Sequence, residues 1–345
     1  MAINLKKLLF LLLPVLLLFT VSGQIPTNYY TDAEGKTGVA LKTAMFNIIK
    51  NHNSISYGGL WTAFESTDKK TNSKVWDMYS DMPGNPPYEY TFSSDQCGNY
   101  SKEGDCYNRE HSIPKSWFND AMPMHTDLFH LYPTDGYVNG KRGNYPFGET
   151  SSVSWTSKNG SKLGNSNFTG YTSTVFEPID EYKGDFARTY FYMATRYLNT
   201  NLAQTEHGQA VFSYNNSTCE LTSYAINLFL KWHRADPVSS KEINRNNAVY
   251  DIQNNRNPFI DHPELVEHLW GTLQGEAWKP HQSITQYHNG ISIEGVAPNT
   301  PVEIYNILGQ NILTTTLTHN FISLEHLKRG IYIVKIGGRA TKMAW

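Results

Sequence analysis

Side chains that can carry out acid-base and metal chemistry are concentrated between Cys106 and Gly148. The segment holds three polar motifs: Asn108-Arg109-Glu110-His111, Thr126-Asp127-Leu128-Phe129-His130-Leu131-Tyr132-Pro133 and Asn139-Gly140-Lys141-Arg142-Gly143-Asn144. Histidine suits a general base because its pKa lies near neutrality, and carboxylate and amide oxygens are ligands that Mg²⁺ accepts. Hydrolysis of a phosphodiester needs a base for water, a hard cation against the developing charge, and a donor on the leaving side. The segment offers all three.

Two strands and a helix are predicted to position these motifs. We expect one strand to end at His111, followed by a loop that contains Pro114. A second strand is expected over Thr126–Tyr132, and a short helix is expected to begin near Thr134 or Asp135. The two strands and the helix would then enclose one site.

The helix and the first strand place different constraints on the site. Asn139 and Arg142 are three residues apart and share a helix face, which lets one hold a metal while the other meets a phosphate. Neighbours in a regular strand point to opposite faces, so Glu110 and His111 face one ion only if the strand ends or twists there. Pro114 favours such an ending.

These motifs resemble those of the bacterial endonuclease I family, in the His-Me finger or ββα-metal superfamily, over residues 24 to about 282. The family carries an Arg-Glu-His segment, an Asp-Leu-His-His-Leu-x-Pro-like strand and a Val-Asn-Gly-x-Arg-x-Asn segment. The resemblance implies that His111 is the general base and that Glu110 and Asn139 hold Mg²⁺, which Mn²⁺ can replace. Phe129 departs from the pattern, because many members have a first histidine there.

Several of these residues also have a structural interpretation. His111 can be a structural histidine, and Glu110 can form a salt bridge with Arg109. Arg142 can clamp a phosphate of the nucleic acid or cap the short helix. His130 is interpreted as a core or supporting residue, because it lies in the middle of the predicted strand.

Other hydrolytic chemistries lack their sequence motifs. The sequence has no usable histidine pair at i and i+4 and no Cys-x-x-Cys for zinc, and no Gly-x-Ser-x-Gly for a serine nucleophile. Cys97 and Cys106 suit a small disulfide loop in an oxidising compartment, although their spacing alone leaves the bond open. Cys219 is interpreted as a buried thiol.

Composition and periodicity indicate one large globular region. The 345 residues include 29 basic and 31 acidic side chains, so the net charge of −2 gives no sign of a polyanionic substrate and any DNA-binding surface must be local. Helices are predicted over residues 185–198 and 222–234, and Ser239 with Glu242 forms a capping box for a third helix.

The N-terminus, residues 1–23, is typical of a secretory signal peptide. Lys6 and Lys7 precede an apolar run from Leu8 to Thr20, and Val21-Ser22-Gly23 offers small residues for cleavage. The alternative is a membrane anchor, but the run falls short of the roughly 20 residues that span a bilayer.

The C-terminus changes to short alternating strands, with a boundary predicted between Ser283 and Thr300. Residues 304–310, 327–335 and 342–345 resemble the C-terminal sorting domain of the type IX secretion system. The resemblance implies an immunoglobulin-like sandwich that takes cargo across the outer membrane. The alternative is a β accessory domain for adhesion.

Together these features predict an α+β protein: a signal peptide (1–23), a ββα-metal nuclease domain with additional helices (24–282) and an all-β sorting domain (283–345). The predicted activity is non-specific cleavage of DNA, and of RNA as well, by a secreted or cell-surface enzyme that uses one metal ion and a histidine base. The rival prediction is a secreted nucleic-acid-binding or adhesion protein on a catalytically inactive nuclease scaffold.

Overall fold

The computed structural model describes residues 25–26, 28–280, 283–294, 296, 300–317, 321–336 and 339–345. The predicted signal peptide lies outside the described residues. None of the described helices has the length and hydropathy needed to cross a membrane.

Helices and short strands alternate along the larger part of the chain. The helices are α1 (Gly38–Ile49), α2 (Leu60–Thr67), α3 (Gly136–Arg142), α4 (Lys183–Arg196), α5 (Glu206–Val211), α6 (Ser223–Ala235), α7 (Ser240–Gln253), α8 (Pro258–Asp261) and α9 (Leu265–Leu269). The strands are β1 (Tyr107–His111), β2 (Leu131–Asp135), β3 (Thr150–Thr156), β4 (Lys162–Ser166), β5 (Thr174–Glu177), β6 (Phe212–Asn215) and β7 (Thr218–Leu221).

The core of this region surrounds α4, whose residues are all buried, between α1 and α6. The three helices predicted from the sequence are confirmed as α4, α6 and α7. Ser239 and Glu242 form the predicted capping box at the start of α7, each side chain accepting from the other residue's backbone N–H. Cys219 is buried in the same core, where burial raises the pKa of its thiol to about 11.

Next to this core, β1 and β2 pair as antiparallel strands, with His111 opposite Leu131 and Tyr107 opposite Asp135. The α3 helix follows β2 directly, and the Asp135 side chain caps it by accepting from the backbone N–H of Val138. These bounds confirm that a strand ends at His111 and that a short helix begins beside Asp135.

The predicted strand over Thr126–Tyr132 is wrong in its first half. Met124–Thr126 and Leu128–His130 form 3-10 turns, and β2 begins only at Leu131. The Asp127 side chain causes this difference, because it accepts from the backbone N–H of Phe129 and so caps a turn in place of extended backbone. His130 therefore ends a turn and does not lie in the middle of a strand.

The described residues of the C-terminal segment form only strands and their connections, as predicted. Its strands are β8 (Ser283–Tyr287), β9 (Gly290–Glu294), β10 (Pro301–Asn306), β11 (Asn311–Thr316), β12 (Phe321–Ser323), β13 (Ile331–Ile336) and β14 (Arg339–Ala344). They form one sheet in the order β11-β10-β13-β14 and another in the order β12-β9-β8. Both sheets contribute to one hydrophobic cluster, whose described members all come from this segment.

Candidate active site

A disulfide loop covers the beginning of α3. Cys97 and Cys106 are bonded, which confirms the pairing that their spacing left open. Tyr100, inside this loop, lies against two glycines of α3. A Cβ atom at Gly136 would lie 2.7 Å from Tyr100 Cδ1, and one at Gly140 would lie 2.9 Å from its hydroxyl oxygen. The loop thus packs closely on the helix that carries Asn139.

One face of β1 is turned toward α3. Asn108 and Glu110 share this face because alternate residues of a strand point the same way. Asn139 Nδ2 donates to Asn108 Oδ1 at 2.7 Å, and Arg142 Nη1 donates to Glu110 Oε1 at 2.8 Å. The contacts bring the two predicted metal ligands to the same side of the strand.

Arg142 is buried between α3 and β1 and holds the two elements together. Its side chain is 1% exposed, and besides Glu110 it donates to the backbone carbonyl oxygens of His111 and Ser112. The sequence predicted that Arg142 contacts nucleic acid, but a phosphate reaches this guanidinium only if the ion pair is broken. These contacts join α3 to the end of β1, and the contact of Arg142 with nucleic acid stays a prediction.

Glu110 is 3% exposed, and its Oε1 atom also accepts from the Tyr79 hydroxyl at 2.7 Å. Burial raises the pKa of the carboxyl group, and Arg142 and Tyr79 lower it only in part. The salt bridge with Arg109 that the sequence allowed does not form, because Arg142 occupies that place.

His111 is the last residue of β1, and its ring packs beside those of Tyr57 and His130. Its Nε2 atom lies 3.1 Å from the backbone carbonyl oxygen of His125. A carbonyl oxygen only accepts, so Nε2 carries the proton and Nδ1 carries a lone pair. Burial, and then the neighbouring His130, hold the pKa of His111 well below its usual value. The imidazole is therefore neutral at pH 7 and able to accept a proton.

His130 lies in the core, as predicted, behind His111. It is fully buried, its Nε2 atom lies 2.6 Å from the Met124 carbonyl oxygen, and burial lowers its pKa to about 4. The ring centroids of His111 and His130 are 5.5 Å apart. His130 therefore supports the ring of His111 by packing.

Comparisons with known proteins show the family of this chain. Residues 37–264 match the model of the endonuclease I family. The chain belongs to the endonuclease I family. Its relatives include the extracellular ribonucleases of Bacillus amyloliquefaciens, 36% identical over 252 residues, and of Bacillus subtilis (strain 168), 35% identical over 255. Each alignment covers 70% of this chain and 78% of the relative.

More distant relatives of this endonuclease include the periplasmic deoxyribonuclease of Aeromonas hydrophila, 28% identical over 139 residues, covering 40% of this chain and 48% of the relative. Residues 286–344 match the secretion system C-terminal sorting domain. The endonuclease is therefore a secreted or cell-surface enzyme.

The donor set of this endonuclease fits a hard cation. The amide nitrogen of Asn139 is engaged by Asn108, so its oxygen is the atom left for a cation, and the Glu110 carboxylate lies on the same side of β1. Among the described residues, no group of three or more His, Cys, Asp and Glu forms a metal cage. An ion held by two protein oxygens completes its shell with water, which Mg²⁺ readily keeps.

The site also contains three residues that were not predicted from the sequence: Asn108, Tyr79 and Tyr57. Asn108 was detectable, because it stands two residues before Glu110 in a strand and so shares its face. Tyr79 and Tyr57 had no such signal, since they reach β1 from positions 31 and 54 residues before Glu110 and His111.

Proposed function

We propose that the enzyme hydrolyses DNA and RNA without base specificity, using His111 as the general base and one divalent cation at Glu110 and Asn139. The observation that carries this proposal is the neutral His111 ring, oriented by the His125 carbonyl oxygen so that Nδ1 is free to accept a proton. The relatives named ribonucleases and deoxyribonuclease support both substrates.

In this mechanism His111 Nδ1 accepts a proton from water, and the resulting hydroxide forms a bond to phosphorus. The bond from phosphorus to the leaving oxygen breaks, and that oxygen takes a proton from solvent water. Asn108 orients the Asn139 amide, and Arg142 and Tyr79 hold the Glu110 carboxylate. The chemistry that a bound cation supplies is neutralisation of the charge that develops on the phosphate. Mg²⁺ is the ion that fits two oxygen ligands, and Mn²⁺ is expected to replace it.

The first test is metal removal. Excess EDTA should abolish nicking of plasmid DNA, and Mg²⁺ or Mn²⁺ should restore it, because the proposed ligands are oxygens. The Asn139→Ala variant should need more Mg²⁺ than the wild type for half-maximal rate. Undiminished nicking in excess chelator would remove the metal from the mechanism, and a gel shift without nicking would indicate a binding protein.

We further propose the domain division 24–282 and 283–345, with the β1-β2-α3 unit as a ββα-metal site and the tail as an immunoglobulin-like sorting domain for the type IX machinery. The hydrophobic cluster confined to the tail supports this division.

Truncation tests the division. A protein ending at Gln282 should cleave DNA at the wild-type rate but should fail to reach the outside of its native cell. Activity and melting temperature of the purified truncated protein, and its location after fractionation, are the measurements. A collapsed thermal transition would show that the nuclease core depends on the tail.

A further inference from the structure

Arg109 lies on the face of β1 that also carries His111. The two residues alternate along the strand, so their Cα atoms are roughly 7 Å apart. Arg109 is partly exposed, and its Nη1 atom donates to the backbone carbonyl oxygen of Tyr57 at 2.7 Å. The guanidinium carbon lies 3.6 Å from the ring centroid of Tyr57 and 4.4 Å from that of Trp61. Two aromatic rings and one carbonyl therefore hold this cation in place.

The Tyr57 ring links Arg109 to the catalytic histidine. Its centroid lies 6.1 Å from that of His111, with the planes 17° apart, and 4.6 Å from that of His125. The residue that holds Arg109 thus packs beside the base and beside the residue whose carbonyl orients the base. This packing fixes Arg109 relative to His111.

The other basic groups near His111 have acidic partners, whereas Arg109 has none among the described residues. Asp120 Oδ1 lies 3.1 Å from Lys115 Nζ and 3.3 Å from His125 Nδ1, and Arg142 is paired with Glu110. In the described part of the chain, no carboxylate forms an ion pair with Arg109. Its positive charge is therefore not neutralised by the protein.

We infer that Arg109 binds a backbone phosphate of the nucleic acid beside the water that His111 deprotonates. A guanidinium has five N–H donors, and the Tyr57 carbonyl uses one of them, so a pair remains for two phosphate oxygens. This inference rests on the proposed function and gives Arg109 the substrate contact that the sequence assigned to Arg142.

The test compares Arg109→Gln and Arg109→Lys with the wild type. Glutamine keeps an amide donor for Tyr57 but loses the charge, whereas lysine keeps the charge but loses the planar fork. Arg234→Ala is the matched control, because Arg234 of α6 is an exposed cation that pairs with Glu267 of α9. Binding of a fluorescein-labelled single-stranded DNA is measured by anisotropy in EDTA over a KCl series, together with kcat/KM in Mg²⁺ and melting curves.

Arg109→Gln should bind the DNA about 10- to 100-fold more weakly, the effect of one charged hydrogen-bonded contact. Its plot of log affinity against log salt should be flatter by about 0.7, since one phosphate contact is lost. Arg109→Lys should keep most of that slope, and Arg234→Ala should match the wild type throughout. The melting temperature of all three variants should stay close to that of the wild type.

If the salt dependence of DNA affinity in Arg109→Gln has the wild-type slope, the inference is overturned. This holds both when the affinity is unchanged and when it falls together with the melting temperature. In the second case Arg109 only supports the fold. If the wild type binds with the expected slopes but does not cleave DNA or RNA in Mg²⁺, the proposed function fails while the phosphate contact stands.

Discussion

His111→Ala is expected to cleave DNA about 10²–10⁴-fold more slowly than the wild type, the usual contribution of a general base. The His111 ring is neutral and its Nε2 proton is directed to the His125 carbonyl oxygen, so the substitution removes Nδ1, the atom that we propose accepts the proton. DNA binding and melting temperature should stay nearly unchanged. Single-turnover cleavage and melting curves of the purified variant are the measurements.

His130→Ala is the control for this prediction. His130 is fully buried, and its bond to the Met124 carbonyl oxygen serves the turn that precedes β2. Its replacement should therefore affect stability at least as much as turnover. If His111→Ala still cleaves within about threefold of the wild type, far less than the loss of a general base, another residue accepts the proton.

Arg142→Ala is expected to lower the free energy of unfolding by about 3–5 kcal/mol, because it leaves the Glu110 carboxylate buried without its cation. Cleavage should fall as well, since Arg142 holds Glu110 and the end of β1 in place. Urea unfolding of the variant measures the first effect. By contrast, Arg234→Ala removes an exposed ion pair, which is worth about 0–1 kcal/mol.

A double variant separates packing from substrate contact. Adding Glu110→Gln to Arg142→Ala should recover part of the lost stability, because the buried charge disappears with its partner. A stable Arg142→Ala protein that binds DNA weakly would instead restore Arg142 as a phosphate ligand and contradict its structural assignment.

Local signals predicted the parts of the site that depend on neighbouring residues. The end of β1 at His111, the α3 cap at Asp135 and the Cys97–Cys106 loop all follow from short-range chemistry. The turn at Asp127 could not be predicted in this way. Its buried carboxylate accepts hydrogen bonds from the hydroxyls of Tyr192 and Tyr197, which follow it by 65 and 70 residues.

The sequence also did not predict that the Arg142 side chain points into the protein. Helix spacing placed it on the same face as Asn139 but gave no distinction between a face that meets substrate and one that meets β1. Only the pairing of β1 with α3, together with Tyr79 from an earlier part of the chain, shows that Glu110 needs a buried cation. The same pairing leaves Arg109 without an acidic partner among the residues that the structure describes.

Both faces of β1 carry residues of the site, so we expect the enzyme not to tolerate length changes within this strand. A one-residue insertion between Asn108 and His111 would shift the register against β2 and turn every side chain beyond it to the opposite face. The imidazole would then face α3, and the Glu110 carboxylate would turn away from Arg142. Natural insertions and deletions in related nucleases should therefore fall outside these five residues, in the connections on either side of them.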